Sequence, residues 1–236
     1  MSGDLEGKVV AIAGAGGGLG PSVSSLLASR GARLALAERN ADLAGKCAAD
    51  LDVEEDRCDS FAVDLLDADA ADGWAERAAS KFGRVDALVH LVGGWRGGKP
   101  IAEAPVEDNE FLHGLLVKTV QTATCAFLPY LAQRAGRFVI VSSIQAQRPT
   151  ATNAAYASAK AAAEAWTLAF ADELKGHGGT ANIVVVNAIV TPQMREQNPD
   201  KSYDTFTDAE HIAEGIAFLL SDAASKMNGQ RLSLHG

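Results

Sequence analysis

The stretch "VVAIAGAGGGLGPSV", Val9 to Val23, decides how the rest of the chain is read. A short aliphatic run ends abruptly in glycines at 14, 16, 17, 18 and 20, and a helical pattern then begins with Pro21 in its first turn, where the missing proline N–H costs nothing. A strand, a glycine turn and a helix N-terminus in that order let the backbone approach a pyrophosphate closely, with free N–H groups and the positive end of the helix dipole directed at it. Glycine-rich turns also serve as plain connectors, so position matters. This one opens the first strand–helix unit. Glu38 closes the second strand roughly 20 residues on, where a carboxylate accepts hydrogen bonds from an adenosine ribose and repels a 2′-phosphate. The reading is therefore NAD ahead of NADP, with the neighbouring Arg39 as the residue that argues the other way.

Outward from this turn, aliphatic runs alternate with helical patterns as far as "RLSLHG" at the C-terminal end. Strands are expected near 8–13, 33–37, 60–63, 86–92, 137–142, 182–188 and 231–234, and helices near 20–30, 41–50, 69–81, 109–134, 155–175 and 208–220. Such alternation calls for right-handed crossovers and a parallel sheet covered on both sides. The runs lack a period of two, as strands buried on both faces do. The expectation is a single-domain α/β protein spanning 1–236, a doubly wound Rossmann-type parallel sheet of about seven strands with helices on both faces. Two irregular segments, 93–105 and 191–207, follow strands and so fall on the crevice side of the sheet.

The composition narrows the partners. A net charge of −9 repels nucleic acid and anionic membranes, and no uninterrupted apolar run approaches a membrane span, which leaves a small-molecule substrate. The three cysteines, Cys47, Cys58 and Cys125, show no metal or redox spacing and read as reduced thiols in a cytoplasmic protein. The five histidines are scattered, so no metal is expected. Trp95, with Gln145 and Met194, is a candidate wall for a substrate pocket; Arg96 reads as a solvated loop charge.

In "NAAYASAKAAAEAWTLAF" (153–170), Tyr156 and Lys160 lie four residues apart on an alanine-rich helix and therefore share a face. An ammonium near a phenol favours the phenolate and makes it a better acid/base. Ser143 ends the strand "RFVIVSS" thirteen residues before Tyr156, a connection short enough to bring all three side chains to one crevice.

With these residues in order, the chain resembles the short-chain dehydrogenase/reductase family along essentially its whole length. The matching features are Gly14-x-x-x-Gly18-x-Gly20, Asp64, "HLVGG" (90–94), Ser143, Tyr156-x-x-x-Lys160, "VNAI" (186–189) followed by Thr191, and the C-terminal "IAEGIAFLLSDAASKMNGQRLSL". The resemblance implies an NAD(P)-dependent oxidoreductase interconverting a hydroxyl and a carbonyl. Tyr156 would transfer the proton, Lys160 would tune it and hold the nicotinamide ribose, and Ser143 would hold the substrate oxygen. Cofactor contacts are implied at Gly14, Gly16, Gly18, Leu19, Gly20, Glu38, Asp64, Leu65, Val92, Gly93, Tyr156, Lys160 and Thr191. A homodimer or homotetramer built on helices 109–134 and 155–175 is implied as well.

Four departures stand out. The family threonine is Ala13, two family asparagines are His90 and Leu116, and the Pro-Gly after the sixth strand is missing, so the loop carrying Thr191 should be displaced. Leu116 cannot bend its helix with its side chain or help hold a water that links the lysine to solvent. Lys160 would then need another route, through Thr119, Ser142 or the 191–207 loop. Two other readings stay open here: a family-fold enzyme of non-redox chemistry, such as a cyclase, dehydratase or isomerase, and a regulatory dinucleotide-binding protein.

Overall fold

Every residue of the first strand is apolar and buried, which places it in the middle of a sheet covered on both faces. The computed structural model describes residues 4–235. Its strands are β1 (Val9–Ala13), β2 (Arg33–Glu38), β3 (Cys58–Ala62), β4 (Ala87–His90), β5 (Arg137–Ser143), β6 (Thr180–Val186), β7 (Ala188–Val190), β8 (Phe206–Asp208) and β9 (Arg231–Ser233). Seven of them form one sheet in the order β3-β2-β1-β4-β5-β6-β9, and all its pairings are parallel. The order reverses between β1 and β4, which opens a ligand crevice beyond their carboxyl ends.

The helices are α1 (Gly20–Ser29), α2 (Ala41–Ala49), α3 (Ala68–Phe82), α4 (Val106–His113), α5 (Thr119–Ala132), α6 (Ala154–Lys175), α7 (Pro192–Gln197) and α8 (Ala209–Leu220). Successive strand residues point to opposite faces, and the core divides accordingly. Val10, Ile12, Leu34 and Leu36 meet Val23 and Leu27 of α1 and Ile212 and Ile216 of α8. Ala11, Ala35, Phe138 and Ile140 meet Trp74 of α3, Phe127 of α5 and Phe170 of α6. The doubly wound expectation therefore holds, with helices on both faces.

Several boundaries moved. β3 begins at Cys58 and ends at Ala62, so Asp64 lies two residues beyond the strand instead of ending it. The run 182–188 divides: β6 stops at Val186, and β7 leaves the main sheet to pair with β8 in a separate two-stranded unit. The expected helix 109–134 is also interrupted, by a π-helical turn at Gly114–Lys118 between α4 and α5. By length and composition Val106–Ala132, with a mean hydropathy of 1.2 in its most apolar window, could cross a membrane; half of that window is buried inside the protein. Its apolar face is spent on the sheet and on α6, as in the core helix of a globular domain.

Candidate active site

The glycine turn is shaped for close approach. Gly14 has φ +79°, and a Cβ there would lie 2.8 Å from the Val92 nitrogen, so the turn after β1 packs directly on the chain leaving β4. At Gly20 a Cβ would meet the Ala15 carbonyl oxygen at 1.8 Å, a contact that only glycine avoids. The Gly14 and Ala15 N–H groups both reach the Ala37 carbonyl, which fixes the turn to β2. No side chain caps the N-terminus of α1, which begins at Leu19 and Gly20. An uncapped helix start beside a glycine turn leaves N–H donors for an anion, and a dinucleotide pyrophosphate fits this cradle.

Glu38 reaches the turn from the end of β2. Its carboxylate accepts from the Gly16 N–H at 3.1 Å and from the Arg39 N–H at 2.8 Å. Arg39 is exposed. Asp64 is exposed as well, and its carboxylate accepts from the Leu66 N–H at 2.9 Å in a local turn; Leu65 beside it is buried. Val92 is partly buried and Gly93 exposed at the mouth of the crevice. Thr191 lies across from the turn, its methyl group 3.5 Å from where a Gly18 Cβ would sit. Its hydroxyl accepts from the Met194 N–H and caps α7. Thr191 therefore stands at the glycine turn.

At the other side of the crevice, Ser143 is buried at the carboxyl end of β5 and its hydroxyl accepts from the Gln145 N–H at 3.2 Å. It also faces the Tyr156 phenol and favours its phenolate; burial is the larger influence and pushes the phenol above its ordinary value. Lys160 is buried, its ammonium donates to the Val141 carbonyl at 2.8 Å, and its Nζ is 5.9 Å from the centre of the Tyr156 ring. Burial lowers the Lys160 pKa to about 8 against the opposing pull of Glu164. Ser143, Tyr156 and Lys160 thus gather at one place. The depression of the phenol expected from the ammonium is not part of this arrangement, because the ammonium is turned toward β5.

The helix is interrupted at Leu116 by a π-helical turn, although the leucine brings no polar side chain to it. Leu116 is buried within the π-helical turn, packed with Leu112, Val117 and Ala159. Polar anchors come from elsewhere: the Thr119 hydroxyl donates to the Leu115 carbonyl at 2.7 Å, and His90 Nε2 lies 3.1 Å from the same hydroxyl. With the threonine hydrogen committed to Leu115, His90 Nε2 carries the hydrogen and donates. The residue standing for one family asparagine therefore ties β4 to the turn that lacks the other. Burial, reinforced by the Lys160 charge, lowers the His90 pKa to about 3, so the ring is neutral. The suggested relay groups are occupied, Thr119 in this way and Ser142 by Glu164, to which its hydroxyl donates at 2.6 Å.

Trp95 is largely exposed, with its indole N–H donating to the Asn153 side chain at 2.9 Å. Arg96 is not a free solvated charge: it pairs with Asp108 at 3.1 Å and stacks on Phe111, its guanidinium carbon 3.6 Å from the ring centre. Glu164 and Arg231 were missed in the sequence. Among the described residues no group of three or more His, Cys, Asp or Glu side chains is arranged to hold a metal ion.

Comparison with known proteins agrees with this fold. A family model for the short chain dehydrogenase matches residues 8–202. The chain is 30% identical over 244 residues to the 3-oxoacyl-(acyl-carrier-protein) reductase FabG of Thermotoga maritima, covering 98% of each. It is likewise 30% identical over 251 residues to the 2,3-dihydro-2,3-dihydroxybenzoate dehydrogenase of Bacillus subtilis, covering 98% of this chain and 96% of that one. Among solved structures, a 3-ketoacyl-(acyl-carrier-protein) reductase from Brucella melitensis complexed with NADH superposes with a TM-score of 0.86 at 27% identity, over 98% of both chains.

Proposed function

Because the chain belongs to the short-chain dehydrogenase family and is an NAD(P)-dependent oxidoreductase of small substrates, we propose that Ser143, Tyr156 and Lys160 carry the proton side of a hydroxyl–carbonyl interconversion, with NAD(H) preferred. The observation that carries this reading is the convergence of the three at the carboxyl end of β5. When bound, the nicotinamide supplies the hydride. Tyr156, a phenol that burial makes still less acidic, then acts as the acid that protonates the oxygen formed on reduction. Ser143 orients that oxygen through its hydroxyl, and Lys160 supplies the positive charge that compensates the phenolate left behind. Gly14, Gly16, Gly18, Leu19 and Gly20 would hold the pyrophosphate, Glu38 the adenosine ribose, Asp64 and Leu65 the adenine edge, and Val92, Gly93 and Thr191 the nicotinamide end.

The NAD preference rests on the Glu38 carboxylate, which already lies on the Gly16 amide where a 2′-phosphate would meet it. Titration of both cofactors tests this: Glu38→Ala should narrow the preference, and tighter binding of NADP by the unaltered protein would overturn it. Tyr156→Phe removes the proton donor while sparing the ring, so turnover of a panel of ketones, followed by the reduced-nicotinamide absorbance, should fall by about 10²–10⁴-fold with cofactor binding retained. Undiminished turnover would refute the assignment. We also propose a homodimer or homotetramer through the helical segment 109–134 and α6, supported by a groove between α4, the π-helical turn and α6 that the small residues Ala155, Ser158 and Ala162 line together with Asn109, His113 and Lys118. Sedimentation as a monomer at micromolar concentration would refute it. The free state of Cys47, Cys58 and Cys125 supports a reducing, cytoplasmic setting.

A further inference from the structure

One turn beyond Lys160 on the same face of α6 stands a second buried ionisable group, Glu164, which is 2% exposed. Both of its oxygens are engaged. Ser142 of β5 donates to Oε1 at 2.6 Å, and Arg231 of β9 donates through Nε to Oε2 at 2.6 Å. The Lys160 ammonium is held by the Val141 carbonyl, the residue next to Ser142. Adjacent residues of β5 therefore anchor the two charged side chains, and the buried carboxylate lies between two cations, one enclosed and one partly open to solvent.

A carboxylate without solvent is costly unless paired, and packing alone would be met at this position by an apolar side chain. We propose that Glu164, held by Arg231 and Ser142, is a positioning residue that keeps Lys160 charged. The inference rests on the reading that Lys160 supports Tyr156 in proton transfer. Glu164 raises the proton affinity of Lys160 against the desolvation that lowers it. Arg231 opposes Glu164 electrostatically but holds it in place, so the net field at Lys160 reflects the balance of the pair. The other ionisable groups facing the ammonium are Tyr156 on α6, which is neutral at working pH, and His90 on β4, which is also neutral. From β5 it meets the Val141 carbonyl, and Ser142, Ser143 and Thr119 carry no charge. Arg231 lies on an edge strand near the C-terminal end of the chain, so the extremity of the sheet contributes to the active site through charge.

The test is a charge cycle read directly at Lys160. The protein carrying ¹⁵N-labelled lysine is titrated by NMR, with the Lys160 Nζ signal assigned from Lys160→Arg, in the unaltered form, in Glu164→Gln, in Arg231→Gln and in the double variant. Glu164→Gln leaves Arg231 unopposed and should lower the Lys160 midpoint by about one unit, a tenfold change in proton affinity. Arg231→Gln should raise it, and the double variant, which restores the net charge, should return toward the original value. The alkaline limb of turnover should follow the same order. Equal midpoints in all four proteins, or a double variant furthest from the original, would overturn the proposal and leave the pair a packing device. If the midpoints move in the expected order while the turnover limb stays fixed, the charge coupling stands and the role given to Lys160 in proton transfer falls. Arg231→Gln, which alters a partly exposed side chain, keeps the test decisive if Glu164→Gln fails to fold.

Discussion

Acidification should unfold this protein in part through a single residue. His90 is 3% exposed between β4 and the π-helical turn, and burial holds its pKa at about 3 against the ordinary 6.5. Between these values the unfolded chain takes up a proton that the native state refuses, so native stability falls as pH drops through about 6.5 and levels off only below about 3. The full shift corresponds to roughly 5 kcal/mol at about 1.4 kcal/mol per unit. From about pH 7 to about pH 5 the loss is about 2 kcal/mol, obtained by integrating the same two protonation curves. For a domain of this size that is about 4–8 °C in Tm. Other groups titrate over the same range, so the assay is a difference. His90→Gln keeps an N–H donor for Thr119 but carries no titratable ring. Urea unfolding of both proteins at the two pH values should give the variant a shallower acid dependence by about 2 kcal/mol. Parallel pH dependences would show that His90 titrates normally, and the assignment of a neutral, buried anchor would be wrong.

Reductive turnover should fall as pH rises through about 8, the value at which Lys160 loses its proton; a rate that stays level to pH 10 would exclude a role for the ammonium. Gly20→Ala places a methyl group 1.8 Å from the Ala15 carbonyl and should cost about 3 kcal/mol or more, with loss of cofactor binding; an unchanged urea midpoint would contradict this. Trp74 is 1% exposed and meets Phe127 edge-on at 4.5 Å, so Trp74→Ala should destabilise by about 3–5 kcal/mol in the same assay. Leu116→Asn should cost about 2–5 kcal/mol through lost packing, without a change in solvent isotope effect on turnover, because Thr119 and His90 already anchor the turn. A smaller isotope effect in the variant would instead implicate proton supply.

What was legible in the sequence was local. The glycine turn, the strand rhythm and the Tyr156–Lys160 spacing follow from backbone sterics and helical periodicity, which act over a few residues and survive translation into three dimensions. Even the position of Glu38 followed, since a strand of known length ends where its neighbour's turn begins. The tertiary structure decided the rest. The π-helical turn between α4 and α5 is tied to β4 by His90 meeting Thr119 across 29 positions of sequence, and the partnership of Glu164 and Arg231 spans 67. The direction of the Tyr156 shift is decided at the same level. Spacing along α6 brings an ammonium near a phenol, but the packed sheet turns that ammonium toward Val141 and removes the phenol from water. Proton affinity is set by solvation and by the orientation of distant groups, quantities that exist only once the chain has folded around them.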